Sequence, residues 1–174
     1  MEQHEILRSL SEIAIAITGF SGIVAALMHR SVASVDLSDR VSLTTLLGTS
    51  LGVAFFGYMP DLMKAAFESE TTAWRVAIFL FAAFHLVSLL GALKNRKRVL
   101  HSELGQSGLP PTLMQVPAFA AGLLICLLQF SVAMGLLEGW LFFAYLLGML
   151  WILFIAAWMF CDRLMTGLSA SPAA

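Results

Sequence analysis

His85 stands in the middle of the apolar stretch FAAFHLVSLL, and an ionisable side chain in such a place is a functional candidate by default. An imidazole there can ligate haem iron or another metal, but only with a second strong ligand at the same depth. His4, His29 and His101 all fall at or beyond the ends of apolar stretches. Haem would therefore have to be shared between two copies of His85. The preferred reading is a packed, neutral histidine bonded to a serine or a backbone carbonyl, with no cofactor and no metal. Gln129 is the other polar group deep in an apolar run. It is costly against lipid, so it is expected to hydrogen-bond across a helix interface rather than to bind a substrate.

Carboxylates are the next candidates. Glu12 opens the apolar run that follows it, and Asp61 comes directly after Pro60 with Lys64 nearby. A carboxylate near a helix N-terminus is favoured by the macrodipole alone. Repeated around a ring of copies, Glu12 and Asp61 would form a cation-attracting mouth. Residues 48–52, GTSLG, match GxSxG by letter, but they lie inside an apolar helical segment with no histidine beside them in sequence, not at a strand-to-helix turn; HExxH, a paired-cysteine motif and a Walker loop are missing, so no enzyme activity and no catalytic residue is expected. Cys126 and Cys161 lie inside apolar runs, which leaves neither a disulfide framework nor a zinc site.

Small and hydroxyl residues supply the remaining pattern. Ser11, Thr18, Gly22 and Ala25 follow one another along one side of the first apolar segment, beside Glu12, Gly19 and Ser21, while Ile13, Ile17, Phe20, Val24 and Leu27 make a bulky stripe. In the second segment Ser42, Thr44, Thr45, Thr49 and Ser50 surround Gly48 and Gly52, a GxxxG spacing. Small residues let helix backbones approach closely in lipid, so this surface is expected to face another helix; around an axis it would instead line water. Gly122, Cys126, Gln129 and Ala133 share one side of the fourth segment, and Ala144 with Gly148 forms a small pair in the fifth.

The elements that must position these groups follow from composition. The chain has 174 residues, 59% hydrophobic and 12% charged, against about 45–50% apolar and 25% charged for an ordinary soluble domain. That excludes a cytosolic enzyme and a nucleic-acid reader. A bilayer core about 30 Å thick needs roughly 20 apolar residues of helix. Five segments qualify, at 12–28, 41–63, 73–93, 116–137 and 139–161. The expected fold is all-α, a single integral membrane bundle of five transmembrane helices, or four plus a re-entrant first helix. Pro60 predicts a kink or an end to the second segment. Glu138 and Gly139 alone separate the last two, which predicts a tight helical hairpin. Glu2 and Glu5 make the start too acidic for a cleaved signal peptide, so the first segment is expected to be retained.

Seven of the ten basic residues (Arg30, Arg40, Lys94, Arg96, Lys97, Arg98 and Arg163) fall in alternate connections and the tail. That side is expected to be cytoplasmic, giving an outside N-terminus and an inside C-terminus for five spans, in a bacterial inner membrane. The KNRKR cluster is read as topogenic ahead of any role in binding anionic lipid. The functional expectation is a homo-oligomeric channel or transport pore lined by the first two helices, through Glu12, Thr18, Gly22, Thr45, Gly48, Thr49, Gly52 and Asp61. The alternative is a non-catalytic accessory or assembly subunit that binds another membrane protein through the same small-residue faces. Membrane lipid and a second membrane protein or copy are the expected partners, and nucleic acid is not.

Overall fold

The computed structural model describes residues 2–31, 37–103 and 112–169, with side chains described for 3–23, 43–94 and 116–161. Every regular element among them is an α-helix. They are α1 (Glu2–Ser31), α2 (Leu37–Phe56), α3 (Met59–Ala66), α4 (Glu70–Glu103), α5 (Thr112–Ala133) and α6 (Leu141–Ser169). The segments Gln3–Ile23, Glu70–Lys94, Val116–Ala133 and Leu141–Cys161 are each long and apolar enough to cross a membrane. Leu43–Phe56 and Met59–Ala66 reach that length only together, so the count is four, or five if the broken pair is one span. The all-α, membrane-spanning architecture expected from composition is the one observed.

The second segment, 41–63, is broken where a kink or an end was expected, just before Pro60. α2 ends at Phe56 and α3 starts at Met59, so the apolar stretch is divided between two helices. The break falls at Gly57 and Tyr58, whose N–H groups close the end of α2 on the carbonyls of Val53 and Phe55. Pro60 is not the terminator. It lies in the first turn of α3, where its missing N–H is not needed and its fixed φ suits the helix.

Two further boundaries move. The connection expected at 94–115 begins later, because α4 continues as helix through KNRKR to Glu103. Leu, Lys and Arg are good helix formers, and a helix need not end where lipid does. At the other end of the chain, α5 stops at Ala133 and α6 starts at Leu141, so the corner is longer than Glu138 and Gly139. Gly135 is responsible. Its φ of 81° lets Leu136 N–H reach the Ser131 carbonyl and Gly135 N–H that of Val132, both at 3.0 Å, which is a Schellman cap.

The chain forms two compact units, Met1–Tyr58 with Met149–Ala174 and Met59–Gly148. In the first, α1 packs along α2. In the second, α4 packs against both α3 and α5, and the first turns of α6 add aromatic contacts. Trp74 meets Tyr145 edge-on at 5.9 Å, and Phe81 meets Tyr145 at 5.0 Å. Phe79 and Phe130 bridge α4 and α5 at 5.7 Å. Such offset ring pairs add stabilisation beyond the area they bury.

Outward faces carry large apolar groups. Phe20, Leu51, Phe55, Val87, Leu124, Leu127, Phe154 and Trp158 are each more than half exposed. In water this surface would be a liability; in lipid it is the solvent-facing side.

Candidate functional site

In the first unit the small-residue row of α1 is mostly spent inside the chain. Ser11, Ala14 and Ser21 are buried and Thr18 is partly so. Thr18 donates its hydroxyl to Ser50 Oγ at 2.8 Å, and Ser50 passes its own hydrogen to the Leu46 carbonyl at 2.7 Å. Each hydroxyl has one hydrogen to give, and the Ala14 carbonyl, also 2.8 Å from Thr18 Oγ1, competes with Ser50 for that of Thr18. Thr49 turns back on its own helix, 2.8 Å from the Thr45 carbonyl. Ser11 bonds the Leu7 carbonyl and lies against Gly57, where an added Cβ would overlap Ser11 Oγ and stand 2.8 Å from the Leu7 carbonyl oxygen. The bare Gly57 backbone thus ends α2 and lets α1 come close.

The row expected from spacing and the row observed are not the same. Gly22 is exposed, and a Cβ there meets nothing within 4 Å. Gly48 is also exposed and open, and Gly52 is half-buried. The buried residues of α2 are Leu46, Thr49, Ser50, Val53, Ala54 and Phe56, followed by Gly57 just past its end. Thr45 is half-buried. Glu12 is exposed, on the outward face of α1 with Ala16 and Gly19, as are Ile13 and Phe20. The side chains of Val24, Ala25, Leu27, Arg30, Arg40, Ser42, Arg163 and the stretch after Lys94 lie outside the described residues.

In the second unit, the two polar residues singled out by depth meet each other. His85 (3% exposed) and Gln129 (0%) are joined by His85 Nδ1 and Gln129 Oε1 at 3.1 Å. Gln129 Nε2 reaches the Ala144 carbonyl at 3.5 Å. With the amide so oriented, Oε1 accepts and His85 Nδ1 is the donor. The network links α4, α5 and the start of α6. Gly148 makes room for it, since a Cβ there would overlap Gln129 Nε2 and lie 2.9 Å from Phe81 Cε1. Cys126 points its thiol at the Ala82 carbonyl, 3.6 Å away, and is buried. The partner of His85 is thus a side-chain amide, in place of the serine or backbone carbonyl expected.

The remaining charged groups gather at helix ends. Asp61 is half-buried in the first turn of α3, and Lys64 pairs with Glu70. Arg75 Nη2 lies 3.2 Å from Glu138 Oε1, joining α4 to the α5–α6 corner. Spacing did not reveal this pair, because its members are far apart in the chain. Among the described residues no three His, Cys, Asp or Glu side chains come together to hold a metal.

Among the described residues, then, the polar side chains of the two units are engaged in hydrogen-bonded helix contacts. No protein-family model matches the sequence, and no curated protein or solved structure is significantly similar to it.

Proposed function

We propose that this chain is a non-catalytic membrane subunit that acts by association, seating the outward glycine positions of α1 and α2 against the transmembrane helices of another membrane protein. The observation that carries the reading is the division of labour among small residues. The hydroxyls of Ser11, Thr18, Thr49 and Ser50 are spent on contacts within the chain, while Gly19, Gly22 and Gly48 are open, with nothing within 4 Å of an added Cβ. Glycine in a membrane helix is of most use where another backbone approaches.

A second reading, a homo-oligomeric channel or transport pore, draws on Glu12. Its carboxylate is on the outward face of α1, within the Gln3–Ile23 span, and an ionised group there is best placed facing water around an axis.

One set of variants separates the two. A Cβ at Gly22 or Gly48 meets nothing within 4 Å, so Gly22→Leu and Gly48→Leu should fold as the parent does. On the association reading the purified parent is monomeric by detergent-corrected mass, retains a defined membrane partner on isolation from native membranes, and loses it in either variant. Undiminished partner retention in both variants overturns that reading. A discrete ring that conducts ions in liposomes, with conduction reduced by Glu12→Gln, establishes the pore instead.

A further inference from the structure

The geometry points to an anion site in the second unit, built to take a phosphate group at the end of the helices where α4 begins and α5 passes to α6. A cavity of about 370 Å³ opens there, lined among others by Thr71, Arg75, Gly135, Glu138, Gly139 and Leu141. That volume is within the range of small-ligand pockets and holds a phosphodiester with its glycerol.

Three features of the cavity favour negative charge. Arg75 is its only basic lining residue, and its Nε is buried without an acceptor, so the guanidinium has hydrogen-bonding capacity unspent. Thr71 is one turn before Arg75 on α4, which puts a hydroxyl on the same side. Leu141, the first residue of α6, also lines the cavity. The opening N–H groups of a helix lack internal acceptors and carry the positive end of its dipole.

Gly135 holds the arginine in place. A Cβ built there would stand 3.0 Å from Nη2, 3.2 Å from Cζ and 3.4 Å from Nη1 of Arg75, so the guanidinium lies flat over the bare Cα. Glu138 is the opposing charge, and its hold is slight: one contact of 3.2 Å from a side chain that is 81% exposed. An incoming phosphate displaces a solvent-facing carboxylate from one nitrogen and gains the bidentate face of the fork.

The depth matches a lipid headgroup. Arg75 is one turn inside the start of the Glu70–Lys94 span, and the cavity lies between the end of Val116–Ala133 and the start of Leu141–Cys161. Lipid phosphate and free phosphate share the chemistry, and the experiment distinguishes them.

The test uses the full chain in dodecyl maltoside micelles and measures equilibrium binding by native mass spectrometry. The probes are phosphatidylglycerol, phosphatidylcholine and inorganic phosphate. Phosphatidylglycerol is expected to bind the parent more tightly than phosphatidylcholine, and Arg75→Gln to weaken it about tenfold, as loss of a charge-assisted pair implies. Glu138→Gln removes the competitor and is expected to tighten binding. A structural salt bridge would give the opposite or no change, so this variant decides the matter even if Arg75→Gln fails to fold. Binding of the lipid without inorganic phosphate identifies a headgroup site; saturable, Arg75-dependent binding of inorganic phosphate identifies a free-phosphate site. Binding of neither probe, or binding that Glu138→Gln leaves unchanged or weakens, overturns the proposal.

Discussion

Replacing Gly148 with alanine puts the packing around the buried amide to a direct test. The new Cβ overlaps Gln129 Nε2, lies 3.0 Å from Gln129 Cδ and stands 2.9 Å from Phe81 Cε1. Gln129 and Phe81 are both 0% exposed, so neither can swing into open space. The amide end is the softer of the two. Moving it strains the 3.1 Å bond with His85 and the 3.5 Å contact with the Ala144 carbonyl. Overpacking a filled interior costs about 1–3 kcal/mol, and an interhelical hydrogen bond in a membrane protein contributes about 0.6–1.7 kcal/mol. The 3.5 Å contact is at the limit of useful geometry and adds little. Gly148→Ala is therefore expected to lose about 2–4 kcal/mol. The assay is reversible unfolding in mixed dodecyl maltoside and dodecyl sulfate micelles, followed by circular dichroism. Gln129→Ala removes the group that the new methyl strikes, so the double variant should lose less than the sum of the singles by about 1 kcal/mol. A loss below about 0.5 kcal/mol for Gly148→Ala, or strict additivity in the double variant, would refute the reasoning.

The same assay reads three other contacts. Gly57→Ala drives a methyl into Ser11 Oγ and should cost about 1–3 kcal/mol, with Ser11→Gly restoring part of the loss; no restoration would place the strain elsewhere. Gly135→Ala puts a side chain at a φ of 81° and against the Arg75 guanidinium, for a loss of about 1–2 kcal/mol from backbone conformation alone, whereas Glu138→Gln should change stability by less than about 1 kcal/mol because the pair is exposed. Thr18→Val keeps the shape and deletes one interhelical bond while Ser50 retains its bond to Leu46, so the expected loss is at most about 1 kcal/mol.

Periodicity and apolar length were enough to read the helices, because a chain in lipid must satisfy its backbone within each segment. They also marked His85 and Gln129, whose polarity at depth requires a partner; that each would be the other's was not readable, since it depends on how α4 and α5 lie together. Gly148 was noted as half of a small pair with Ala144, and its use, space for an amide, appears only in the packing. Small-residue spacing did not say which of these positions the chain itself buries: Gly22 and Gly48 stay open. An offset of a single residue turns a helical position by about 100°, and the buried row passes through Ser21 instead. The corner after α5 was misplaced for a similar reason: Leu136 and Leu137 look like span, and only the left-handed Gly135 ends the helix before them. Arg75 and Glu138 went unnoticed because no local pattern joins residues so distant in the chain.

The unbroken passage of α4 from its apolar span into KNRKR bears on how the protein responds to membrane voltage. A rigid helix does not let Lys94, Arg96, Lys97 and Arg98 separate from the span that precedes them. Moving one elementary charge through the membrane potential costs or yields about 2.3 kcal/mol per 100 mV, so dragging four together amounts to about 9 kcal/mol. Desolvation of four cations in hydrocarbon adds to this whichever way the potential runs. A flexible connection would let the charges stay behind while the span shifted. Here any axial slip of α4 toward the bilayer must carry them along, so desolvation of the four cations opposes that motion at this end of the helix.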